Sequence, residues 1–193
     1  MNVVGLAGKP GCGKSAAARE LAKEAGVVWV DLDRIAWETY RPRTPTYWQL
    51  LARFGRGIVG ADGAIDRARL GRIVFSDSRA LEDLNAIVHP AVSQWLRDRI
   101  AVERRRGTRL LLVEGALLPT SPHVDRSLFD AILWLEAGPA VRAARLQETG
   151  RTEQVDRTVP LPGRGEAMRV DASGTHEETV EAIRRAVLSL RDS

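Results

Sequence analysis

The run Gly8-Lys9-Pro10-Gly11-Cys12-Gly13-Lys14-Ser15 fits G-x-x-x-x-G-K-S, with the short apolar stretch Asn2 to Ala7 before it and the helix formers Ala16, Ala17, Ala18 and Leu21 after it. Glycines at 8, 11 and 13 let the backbone curl until successive N–H groups face one phosphate chain. The backbone from Gly11 through Cys12, Gly13, Lys14, Ser15 and Ala16, at the start of the following helix, is then the expected anion cradle. Lys14 reaches the β and γ phosphates, and the Ser15 hydroxyl is positioned to ligate Mg²⁺. The pattern specifies a nucleoside triphosphate with Mg²⁺ and leaves the choice between ATP and GTP open. It does not separate a kinase from a GTPase or a motor. Cys12 reads as a small residue filling a loop position, with no catalytic role.

Three carboxylates stand at predicted strand ends, where open α/β sheets place their ligands. Asp31 and Asp33 follow the run Val27 to Val30. Beside a nucleotide loop they can orient an acceptor hydroxyl and take its proton; the alternative is that one merely caps a helix starting at Arg34. Glu114 ends the run Leu110 to Val113, a place from which a carboxylate holds Mg²⁺ directly or through water. His89 precedes Pro90 and reads as a hydrogen-bond donor at a helix start rather than a catalyst. His123 and His176 read as loop residues, and the three histidines give no metal site of their own. Arg142, Arg145, Arg151, Arg157 and Arg164 flank or occupy a polar segment, from which guanidinium groups can arrive on closure and neutralise a transferring phosphoryl group. Arg145, on the helix before that segment, is the best placed. The five tryptophans read as core or cap packing.

The elements that must position these groups alternate between strand and helix, so the class is α/β with a parallel sheet. Strands are expected at 2–7, 27–30, 109–113, 130–135 and 167–170, the longer ones as unbroken apolar runs suited to burial on both faces. The region 34–54 reads as helix broken by Pro42 and Pro45. Further helices are expected at 66–75, 78–88 and 90–106, the last with proline at its first position. Residues 148–165 are polar, carry Pro160, Pro162, Gly163 and Gly165, show no core pattern and read as a lid. Thr175 and Glu178 form a capping box for a C-terminal helix. These elements make a single domain, with a core of 1–33, 107–147 and 166–193, a helical cap of about 34–106, and a lid.

The composition is that of a soluble globular protein. Of 193 residues, 44% are hydrophobic and 28% charged, which excludes disordered and fibrous classes. No apolar run approaches the roughly 20 residues a bilayer-crossing helix needs. Met1 leads directly into a strand-like run without a basic leader, so a cytoplasmic protein with no membrane partner is expected. One cysteine excludes an internal disulfide framework. The net charge of +4 invites a nucleic-acid partner. The basic residues are scattered rather than clustered, however, so none is expected, and a polyanionic small substrate suits the surface.

Five blocks together resemble the dephospho-coenzyme A kinase family. They are Gly8 to Ser15, Val30 to Ala36, Phe54-Gly55 with Asp62 to Arg67, Leu70 to Phe75, and Leu84 to Pro90. The resemblance implies a three-layer P-loop kinase fold with a parallel central sheet, a helical substrate-binding cap and a short lid. It implies ATP as donor and the ribose 3′-hydroxyl of dephospho-coenzyme A as acceptor. Asp33 is then the catalytic base, Lys14 and Arg145 act on the phosphates, and Arg67 with the cap holds the coenzyme A portion. Asp31, His89 and Glu114 complete the expected substrate-binding set, and the oligomeric state stays open. The second half departs from the family's pattern at Ala116-Leu117-Leu118, in the proline- and glycine-rich lid, and at Asp171 to Gly174. Two other readings stand beside this one: a different P-loop kinase acting on a nucleoside or sugar, and a nucleotide-binding regulatory protein without transferase activity.

Overall fold

The computed structural model describes residues 1–154 and 159–190. In chain order the elements are β1 (Asn2–Gly8), α1 (Lys14–Leu21), β2 (Val27–Asp31), α2 (Leu32–Thr39), α3 (Pro45–Phe54), α4 (Arg67–Ser76), α5 (Ser78–Arg105), β3 (Leu110–Glu114), β4 (Ala131–Glu136), α6 (Pro139–Glu148), β5 (Met168–Asp171) and α7 (His176–Ser189). The five strands form one sheet in the order β2-β3-β1-β4-β5, and every pairing is parallel. The chain forms two compact units, one of Met1–Asp31 with Arg99–Ser193 and one of Leu32–Asp98.

In the first unit the apolar runs are buried on both faces of the sheet. Val4, Leu6, Leu110, Leu112, Leu133, Leu135 and Val170 share a core with Ala17, Ala18 and Leu21 of α1 and Val180, Ile183 and Val187 of α7. The alternate residues Val3, Leu111, Val113, Ile132 and Trp134 are buried as well. This double burial is why the strands lack a polar–apolar alternation. From β1 the chain crosses to β2 on one side of the sheet, and from β3 it crosses to β4 on the other. That reversal leaves a crevice at the carboxyl ends of β1 and β3, where ligands of such sheets bind. The capping box is formed: Glu178 N–H donates to Thr175 Oγ1 at 3.2 Å, and Thr175 N–H donates to Glu178 Oε2 at 2.7 Å.

The second unit is helical around Leu50, Ile58, Leu70, Val74, Val88, Val92 and Leu96. Its block Asp62 to Arg67 builds a tight turn. Gly60 N–H donates to the Ala64 carbonyl at 2.8 Å and Asp66 N–H to that of Ile58 at 2.8 Å, while Tyr47 Oη donates to the Gly63 carbonyl at 2.9 Å. Asp66 then caps α4 by accepting from the N–H groups of Ala68 and Arg69.

Two expectations are corrected. The helices expected at 78–88 and 90–106 are one continuous 28-residue helix with Pro90 inside it, so His89 lies mid-helix and is not a helix-start donor. Proline removes the one hydrogen bond to the carbonyl four residues back, and the long helix on either side of it tolerates that loss. The segment expected to lack a core pattern is anchored near its end: Val159 is 4% exposed and Pro162 is buried. Among the described residues no helix is long and apolar enough to cross a membrane.

Candidate active site

The glycine loop is shaped by close approaches that only a residue without Cβ allows. At Gly8 (φ +143°) a Cβ would stand 2.5 Å from the Leu135 carbonyl oxygen, and at Gly11 (φ +82°) 2.6 Å from that of Arg142. Gly13, left-handed at φ 85°, is the N-cap of α1 and offers no side chain to its first turn, so the amides there remain available to an anion. Lys14 Nζ donates to the carbonyls of Gly8 at 2.8 Å and Lys9 at 3.1 Å, which holds the ammonium across the loop. Two arginines of α6 close the same place. Arg142 Nη1 donates to the Pro10 carbonyl at 3.3 Å. Arg145 donates to the carbonyls of Ala172 and Gly174, its Nη1 lying 3.6 Å from where a Cβ on Gly13 would be. Of the other arginines expected near the phosphates, Arg151 and Arg164 are exposed, and Arg157 lies outside the described residues.

Strand register assembles the carboxylate side. Leu6 of β1 pairs with Glu114 of β3, which pairs with Asp31 of β2. Side chains alternate faces with period two, so Glu114 follows Leu112, and Asp31 follows Trp29 and Val27, onto the face that α1 covers. Ser15, in the first turn of α1, donates from Oγ to Glu114 Oε1 at 2.6 Å, and Trp29 Nε1 donates to Glu114 Oε2 at 3.2 Å. Glu114 is only 7% exposed. A part-buried hydroxyl–carboxylate pair beside a phosphate cradle is the hard-oxygen donor set that suits Mg²⁺, which binds through one or two protein oxygens and substrate phosphates. Among the described residues no group of three or more His, Cys, Asp or Glu side chains forms a metal cage.

In the helical unit, α2 begins at Leu32 immediately after β2, so Asp33 is an exposed residue of its first turn rather than the cap of a helix starting at Arg34. A carboxylate there is stabilised by the helix dipole. Arg67 opens α4, and its guanidinium carbon lies 3.9 Å from the centre of the Trp37 ring. Burial pushes the Tyr40 hydroxyl pKa up, while the Arg67 charge acts the other way.

Sequence reasoning proposed Lys14, Ser15, Glu114 and Arg145 for the site, and the structure brings Ser15 onto Glu114 and Arg145 beside Gly13. It missed the indole of Trp29 on the same carboxylate, the seat of Arg142 on the glycine loop, and Trp37 under Arg67. The motif itself carried a signal for Arg142, since a glycine at position 11 implies a close neighbour.

The family model described as dephospho-CoA kinase matches residues 2–158. A protein of Geobacter sulfurreducens called dephospho-CoA kinase is 35% identical over 189 residues, 95% of this chain and 95% of that one. One of Leifsonia xyli with the same name is 35% identical over 192 residues, 95% of this chain and 96% of that one. Among solved structures, TT1252 from Thermus thermophilus superposes with a TM-score of 0.71 at 26% identity, covering 97% of this chain and 96% of that one. A dephospho-CoA kinase from Campylobacter jejuni shares the fold at a TM-score of 0.63 and 15% identity, covering 98% and 96%.

Proposed function

We propose a reaction from one premise: the chain belongs to the dephospho-coenzyme A kinase family. Its activity is ATP-dependent phosphorylation of dephospho-coenzyme A at the ribose 3′-hydroxyl, giving coenzyme A and ADP. The observation that best supports this reading is the 2.6 Å contact between Ser15 Oγ and buried Glu114 at the mouth of the glycine loop. Ser15 and Glu114 are the residues that would hold Mg²⁺, which when bound neutralises charge on the β and γ phosphates.

The roles of the remaining groups rest on their chemistry. The amides of Gly11 to Ala16 bind the triphosphate. Lys14 leaves the carbonyls of Gly8 and Lys9 for the phosphate oxygens, where a full negative charge is the stronger acceptor. Asp33 orients the 3′-hydroxyl and takes its proton as the new O–P bond forms and the bond to the β-phosphate oxygen breaks. Arg145 adds positive charge beside Gly13 as charge builds on the equatorial oxygens. Asp31 supports the acceptor side, and Arg67, held on Trp37, takes a phosphate of the coenzyme A portion. His89, within α5, helps to bind the same substrate.

The test is formation of coenzyme A from ATP, Mg²⁺ and dephospho-coenzyme A, followed by chromatography and mass. Adenosine, uridine and gluconate run in parallel as acceptors. Asp33→Asn should still bind ATP but lose about 10²- to 10⁴-fold in kcat, the usual contribution of a general base. Near-normal turnover by that variant removes Asp33 from the role. A product only with another acceptor moves the chain to a different substrate class, and ATP binding without any transfer favours a regulatory protein.

A further inference from the structure

Glu114 uses both carboxylate oxygens. Oε1 accepts from Ser15 Oγ at 2.6 Å, and Oε2 accepts from the Trp29 indole at 3.2 Å. The second contact is built by register: Trp29 pairs with Leu112, and Glu114 stands two residues further along β3 on the same face. The indole also meets a guanidinium of α1. Ser15 and Arg19 lie four residues apart on α1 and so share one helix face. While Ser15 reaches the carboxylate, the Arg19 guanidinium stands 5.7 Å from the centre of the Trp29 ring. An indole N–H is a donor only and has one direction. A ring fixed by β2 and α1 therefore fixes the plane of the carboxylate it bonds.

We infer that Trp29 is a positioning residue for the metal side of this site, orienting Glu114 so that Oε1 and Ser15 Oγ converge on one point. This inference rests on the reading of Glu114 as the Mg²⁺-side carboxylate. Partners behind a ligating carboxylate set its orientation, and their loss commonly weakens metal binding about 10- to 100-fold. Without the indole N–H, Oε2 loses a donor while the carboxylate stays buried, and the carboxylate plane is less firmly set toward Ser15. The nucleotide cradle, built from backbone amides, does not depend on that hydrogen bond. Trp29 therefore governs the response to Mg²⁺ and not the affinity for the acceptor.

The experiment compares wild type, Trp29→Phe and Glu114→Gln. Phe keeps an aromatic ring in the strand while removing the donor. The Mg²⁺ concentration giving half-maximal coenzyme A formation should rise about tenfold or more in Trp29→Phe, with KM for dephospho-coenzyme A unchanged and kcat at saturating Mg²⁺ changing far less. A second readout needs no turnover. Of the five indole N–H signals in a ¹⁵N-labelled spectrum, the one missing from Trp29→Phe should move when Mg²⁺ is added to the protein with ADP, and should stay still in Glu114→Gln. A folded Trp29→Phe protein with wild-type Mg²⁺ dependence overturns the inference. If Glu114→Gln also leaves that dependence unchanged, it is the reading of Glu114 that has failed. Should circular dichroism show Trp29→Phe unfolded, the spectra of wild type and Glu114→Gln decide: no Mg²⁺-dependent indole signal in wild type overturns the inference.

Discussion

A methyl group on Gly11 would meet the Arg142 carbonyl oxygen at 2.6 Å and its Cα at 2.9 Å, both backbone atoms of α6 that cannot swing aside. The left-handed φ of +82° adds roughly 1–2 kcal/mol for any residue with a Cβ. Either effect alone approaches the 1.4 kcal/mol that corresponds to tenfold in affinity. Gly11→Ala should therefore weaken ATP binding by about tenfold or more in isothermal titration. Gly57→Ala, where nothing lies within 4 Å of the added Cβ, should leave it unchanged. Equal affinities in the two variants would show that the loop yields more readily than its contacts indicate. The same locality explains what sequence reasoning could read here. Gly8 to Ser15 is a contiguous motif, and Glu114 was legible because it terminates an apolar strand. The contacts that Trp29 and Arg142 make were not, because their partners lie 85 and 132 residues away and come close only through strand pairing and helix packing. A tryptophan in an apolar strand reads as core until the register beside it is known.

Among the elements, the link from α2 to α3 carries a strain that can be relieved. Thr44 N–H donates to the Arg41 carbonyl at 3.2 Å, closing a turn with Pro42 and Arg43 at its centre, and Arg43 has φ +75°. That is the position a type II turn reserves for glycine. Thr44 then caps α3 by accepting from Tyr47 N–H at 3.1 Å, with Pro45 at the first helical position, so the start of α3 fixes the turn. The left-handed conformation costs arginine about 1–2 kcal/mol, while glycine loses roughly 0.5–1 kcal/mol more chain entropy on folding. The strain wins by a small margin. Arg43→Gly should raise stability by about 0.5–1 kcal/mol, read as a higher urea midpoint at unchanged slope, and a lower midpoint would contradict it. Most elements were legible, because apolar strands and capping signals are local. The junction at Pro90 was not. A proline after an apparent stop reads as a new helix, but its cost of about 3 kcal/mol is borne by a 28-residue helix secured at its C-terminal end. There Glu103, 1% exposed, accepts from Thr108 Oγ1 at 2.5 Å and lies 3.0 Å from Arg99 Nε. No sequence pattern announces that clamp.

Over the whole molecule, the titrating groups set how stability responds to pH. Several carboxyls are held below their ordinary values, among them Glu20 by the Lys23 ammonium, Asp66 by the Arg69 amide, Glu166 by the Gly163 amide and Asp171 by the Ser173 amide. A carboxyl whose folded pKa is depressed contributes stability above its unfolded value, here 4.5 for Glu and 3.8 for Asp, and loses it as pH falls through the lower folded value. Tyr40 works at the other end. Burial raises its pKa above 10.0, so the unfolded chain gives up that proton first and stability declines as pH climbs past 10.0. Glu20 and Asp171 are exposed and Asp66 and Glu166 only half-buried, so solvent screens all of them and each effect is small. The net charge of +4 adds to the acid side, since every protonated carboxylate leaves more positive charge to repel itself. Urea midpoints should thus be level through neutrality, fall below about pH 4.5 and fall again above about pH 10. The acid loss should begin where the carboxylates tie down backbone. Asp66 caps α4, Glu166 closes the segment ending at Gly165, and Asp171 braces the loop whose Ala172 and Gly174 carbonyls receive Arg145. Amide hydrogen exchange, corrected for its intrinsic pH dependence, should lose protection at Arg69, Gly163 and Ser173 before it does in β1 and β3. Asp66→Asn should remove part of the acid slope. Midpoints that stay level down to pH 3, or strand amides that open together with those three, would show that the carboxylates contribute nothing to the fold.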